Sequence, residues 1–109
     1  MTVVTIDGTA DGRILGYELN GHAMQAAYGK DIVCAALSVL AINTANSLEV
    51  LTQNEPVVDY DKESGHMKLC FDGEPGEDAQ LLLSSFELGI RTIAETYGDR
   101  FVRLEYREV

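Results

Sequence analysis

The stretch GHAMQAAYGKDIVCAALSVL, residues 21–40, decides how this chain is read. It begins glycine-rich and small, then turns into an apolar run with helical spacing. It also holds one of only two histidines, His22, and one of only two cysteines, Cys34. Asp31 is a good N-cap, which predicts a helix from about Ile32 to about Leu48. Ile32, Val33, Ala35, Ala36, Leu37, Val39, Leu40, Ala41, Ile42 and Ala45 cover nearly all its sides. A helix apolar all round is buried on more than one face. In a small domain that implies a sheet on one side and a second helix, or another subunit, on the other.

Working outward, TVVTID (2–7) is rich in β-branched residues and reads as a strand, with DGTADG (7–12) as a turn. RILGYEL (13–19) sets Leu15, Tyr17 and Leu19 on one face, so the two strands make a hairpin. PVVDYD (56–61) and HMKLCFD (66–72) flank the turn KESG and form a second hairpin, with Met67, Leu69 and Phe71 sharing a face. After GEPG a second helix spans about 77–97, and Gly98 is its expected C′ residue. FVRLEY (101–106) is the last strand, with Val102, Leu104 and Tyr106 together. The order hairpin, helix, hairpin, helix, strand suggests two ββα halves, although no sequence repeat accompanies it. The expected fold class is α+β, a mixed or antiparallel sheet packed with two helices, as a single domain over residues 1–109.

The 109 residues carry eighteen acids against eight bases, a formal net charge of −10. That argues against nucleic-acid backbone binding as the primary function and fits equally a basic protein or peptide partner or solubility alone. MTVVTIDGTADG lacks the basic-then-apolar pattern of a signal peptide, and IVCAALSVLAI reads as too short to span a bilayer. A cytoplasmic chain with reduced cysteines is the expectation. The cysteines and histidines are too scattered for a zinc site, and no phosphate loop or dinucleotide fingerprint is present, so no metal or cofactor is expected.

With Asp31 as N-cap, Cys34 falls at the third helical position, near unpaired amides and the positive end of the dipole. Such a placement favours the thiolate, the reactive form. His22 lies on the entering loop, which can bring an imidazole to the sulfur as a base. Gly21 and Gly29 bound that loop of roughly residues 20–30 and suit a flexible lid. Asp31 either caps only or also orients the imidazole; Ser38, one turn after Cys34, either joins the site or bonds its own helix. Taken singly, Cys34 also reads as a core residue and His22 as a loop residue bonded to backbone. Cys70 reads as incidental, His66 as solvent-facing, and Asp59/Asp61/Glu63 and Glu105/Glu108 as solvated faces.

GHA, a short spacer and GKDIVCAALSVL together resemble the ribosomal-processing cysteine protease family, Prp. The resemblance implies a cysteine endopeptidase that removes a short N-terminal extension from the bacterial large-subunit ribosomal protein L twenty-seven. It assigns Cys34 as nucleophile and His22 as general base, with Gly21, Asp31 and Ser38 at the surrounding motif positions, and it implies a homodimer. The helix-start amides are expected oxyanion donors. The alternatives are a non-catalytic acidic module that binds a basic ribosomal protein, and a small redox protein. The absence of a CxxC pair argues against the latter.

Overall fold

A computed structural model describes residues 1–21 and 28–109, with only the backbone described for 28–31. Its elements are β1 (Thr2–Gly8), β2 (Ile14–Gly21), α1 (Tyr28–Leu51), β3 (Val57–Asp61), β4 (His66–Cys70), α2 (Glu77–Tyr97) and β5 (Val102–Glu108). The five strands form one mixed sheet in the order β3-β4-β2-β1-β5. β1 pairs antiparallel with β2 and parallel with β5. β4 joins the two hairpins by pairing antiparallel with β2 on one side and β3 on the other. The expected α+β class and the two ββα units therefore hold, the hairpins meeting through their second strands.

Both helices cover one face of the sheet. α1 buries Val33, Leu37, Ala41, Thr44, Ala45 and Leu48, a stripe at helical spacing, and α2 buries Ala79, Leu83, Phe86 and Ile90. Tyr17 lies under both helices: its ring stacks on Phe86 with centroids 4.0 Å apart, and its hydroxyl donates to the Ala41 carbonyl at 2.7 Å. Burial pushes the phenol up, so the hydroxyl stays a neutral donor. Where the helices cross, a Cβ on Gly89 would meet the Leu40 side chain at 2.9 Å, so glycine permits the close approach. α2 ends at Gly98, whose φ of 88° and N–H bond to the Ala94 carbonyl complete the expected cap.

Several sequence expectations change. Tyr17 and Leu19 face the core, but Ile14 joins them in place of Leu15. The register steps from Asp7↔Gly16 to Gly8↔Ile14, a bulge that reverses the alternation at Leu15. β5 buries Val102 but leaves Tyr106 exposed at the side of α2, its hydroxyl bonded to Glu87 and Arg91. α1 is apolar all round yet not buried all round: Ile32, Val39 and Ile42 are exposed. By length and composition Ile32–Leu51 could cross a membrane, against the reading of its apolar run as too short, yet its buried stripe is what the sheet and α2 cover.

The last change concerns the site. α1 begins at Tyr28, so Asp31 lies inside the first turn and is not the N-cap, and Cys34 is the seventh helical residue. The first four amides, the unpaired ones, belong to residues before the thiol. Cys34 thus sits roughly 9 Å of helix rise beyond the first residue, not at the helix mouth. An acidic residue suits the first turn as well as the cap, which is why the sequence signal misplaced the start by one turn.

Candidate active site

Cys34 is partly buried and lines a small cleft where α1 passes the end of the β1–β2 hairpin. Leu19 and Gly21 of β2, Thr2 of β1, Leu37 and Ser38 of α1, and Gly65 of the β3–β4 turn complete the lining. The structure therefore brings three of the sequence-chosen residues together: Gly21, Cys34 and Ser38. Positions 31, 34 and 38 also share one stripe of α1, because spacings of three and four fall on one helix face. His22 lies outside the described residues, as does the side chain of Asp31. Of the two glycines expected to bound a lid, Gly21 is held in β2 opposite Thr2, and Gly29 lies in α1.

Gly21 is required by packing. A Cβ there would lie 2.6 Å from the Met1 carbonyl oxygen and 2.7 Å from the Thr2 Cα. Close pairing of β1 against this glycine sets one wall of the cleft. Thr2 and Gly65 were missed by sequence reasoning. Thr2 reads only as strand, and its place in the cleft follows from the Thr2↔Gly21 register. KESG signals a turn, but nothing local says that the turn ends beside the thiol.

The sequence reads His66 as solvent-facing, whereas the structure places it in an ionic network on the uncovered sheet face. His66 Nε2 lies 2.6 Å from Glu18 Oε2. Arg107 donates to Glu18 Oε1 at 3.2 Å and, through Nε, to Asp7 Oδ1 at 2.7 Å. The His66 hydrogen bond, then the Arg107 bond, hold the Glu18 carboxyl below the usual range against the opposing effect of burial. Four strands, β4, β2, β5 and β1, are tied by these side chains, and Glu18 and His66 are the chain neighbours of Leu19 and Gly65. Cys70 is exposed on that same uncovered side, away from the cleft.

A partly accessible thiol in a cleft walled by small residues suits attack on a carbonyl carried by an extended chain. The family profile described as cysteine protease Prp matches residues 1–102. The chain belongs to the Prp family of cysteine proteases. It is accordingly a cysteine protease, and the non-catalytic and redox alternatives fall away. The ribosomal processing cysteine protease Prp of Staphylococcus aureus is 32% identical over 107 residues, covering 96% of this chain and all of that one. A crystal structure of the S. aureus Prp protease with a substrate peptide aligns with a TM-score of 0.90 at 31% identity, covering 98% of this chain and all of that one. A second S. aureus Prp structure, carrying a covalently linked product peptide, aligns at 0.87 with 32% identity over the same shares. The Prp fold is thus shared across 98% of the chain.

Proposed function

We propose that this chain removes the N-terminal extension of the bacterial large-subunit ribosomal protein L twenty-seven, with Cys34 as nucleophile and His22 as general base. The observation that carries the reading is the Cys34 cleft, bounded by Gly21 and Ser38 in a chain of the Prp family. The S. aureus relative bears the ribosomal-processing name and binds substrate and covalently linked product peptides.

The chemistry is acyl transfer. His22 takes the Cys34 proton, and the thiolate attacks the scissile carbonyl carbon, forming a C–S bond and an oxyanion. Collapse of that intermediate breaks the C–N bond, and the imidazolium gives its proton to the departing amine. Water then attacks the thioester, His22 receives the water proton, and cleavage of the C–S bond returns the thiol. Asp31 orients the imidazole, and Ser38 contributes a hydroxyl one turn below the sulfur.

The net charge of −10 suits a basic ribosomal substrate in the cytoplasm, through electrostatic steering. The enzyme works as a homodimer. Support comes from the apolar groove between α1 and α2, where Ala35, Val39, Leu40, Leu88 and Ile93 gather. Incubating the chain with the extended ribosomal protein, followed by intact mass and N-terminal sequencing, tests the reading. One new N-terminus, absent with Cys34→Ala and His22→Ala, is the expected result. An uncut substrate, or cutting that survives Cys34→Ala, overturns it.

A further inference from the structure

Among the described residues β3 is an edge strand, paired on one side only, and all five of its residues are exposed. Edge strands with exposed apolar residues invite pairing with another chain unless they are covered. On the helix side of this edge, Val58 and Tyr60 face α1 across a groove of about 390 Å³, whose other walls include Ile42, Ala45, Pro56 and Met67. Val58 and Tyr60 are two residues apart, so they present alternate positions of one strand to the groove.

The groove lies beside the Cys34 cleft. Ser38 lines the cleft and Ile42, one turn further along α1, lines the groove. Leu19 of the cleft pairs in register with Met67 of the groove, and the turn after β3 delivers Gly65 to the cleft. The surroundings are acidic: Glu49 lines the groove, Glu55 and Glu63 flank β3, and Asp59 and Asp61 project from the opposite face of β3, Asp59 in register with Lys68. All five acids are exposed.

We propose that the peptide substrate docks in extended form along the free edge of β3 as a sixth strand. Its alternate apolar side chains enter the groove between β3 and α1, and its basic residues meet the acidic surroundings. This rests on the peptidase reading above and adds where the chain outside the scissile bond is held. Strand addition draws affinity from main-chain hydrogen bonds and specificity from pockets that take every second side chain. The arrangement gives both, beside the cleft that holds the thiol.

The test measures binding apart from cleavage. A fluorescent peptide of the ribosomal protein's N-terminal segment is titrated by anisotropy into Cys34→Ala protein, with and without Val58→Lys and Tyr60→Lys. Val58 and Tyr60 are 42% and 46% exposed, so lysine is accommodated without repacking the core. The two lysines are expected to weaken binding by about tenfold or more. N-methylation at alternate peptide residues should weaken it equally for one set of positions and hardly at all for the other. Binding that is absent, or indifferent to the lysines and to N-methylation, overturns the proposal whether or not the wild-type chain cuts. A change in sedimentation of the lysine variant with peptide binding intact assigns the edge to a second copy and also overturns it. Cleavage by the wild-type chain, scored separately, reports on the peptidase reading alone.

Discussion

Thr2 and Gly21 face each other across β1 and β2, and both line the cleft at Cys34. A Cβ on Gly21 would lie 2.7 Å from the Thr2 Cα, closer than packed atoms approach. Gly21→Ala must therefore push β1 outward and widen the cleft. A stability loss of about 1–3 kcal/mol is expected from such overpacking. Cleavage should fall further than the residual folded fraction explains, as checked by denaturant titration beside kcat/KM. Unchanged kcat/KM would show that this wall does not shape the site.

The two thiols separate cleanly by position. Cys34 lies in the cleft, while Cys70 is exposed on the uncovered side of the sheet. Cys34→Ala should lower kcat by about a thousandfold or more, as loss of a nucleophile does, and leave the melting temperature nearly unchanged. Cys70→Ala should leave both alone. Steady-state kinetics with a melting curve on each variant decides the point.

Glu18 gives a pH dependence whose sign follows from its network. Its folded carboxyl is held below the ordinary range, first by His66 and then by Arg107. The stability it contributes is therefore full above the unfolded glutamate pKa of about 4.3 and is lost as pH falls through the depressed folded value. Against Glu18→Gln, the wild type should melt higher at neutral pH, and the gap should close on acidification. A gap that stayed constant to low pH would exclude Glu18 as the source.

The groove between α1 and α2 predicts how the chain associates. Val39 and Leu88 stand 67% and 62% exposed beside it. Val39→Asp places a charge in an apolar contact and should shift a dimer to monomer in sedimentation velocity, with little change in the melting of the monomer. A monomeric wild-type chain at micromolar concentration would refute the dimer.

Much of the fold is legible locally, and the reasons are local. α2 follows from Leu82, Phe86, Ile90 and Ile93 at helical spacing with Gly98 as its stop, and the structure places it over Glu77–Tyr97. β3 and β4 follow from apolar alternation around KESG. The start of α1 was misplaced because Asp31 is favourable both as a cap and within a first turn, and local chemistry does not separate the two. Leu15 was misplaced because a bulge belongs to a strand pair and not to one strand. The motif groups Gly21, Cys34 and Ser38, and all three line one cleft.

By itself, then, the sequence determined the element types, the two hairpins, the thiol and its motif neighbours, since periodicity, turn residues and spacing act over a few residues. Tertiary structure alone decided that Thr2 and Gly65 wall the cleft, that His66 pairs with Glu18, and that β3 ends the described sheet. Those facts depend on which strand lies beside which. Strand order is set by burying the apolar faces of both hairpins under two helices at once, a constraint that no short stretch carries.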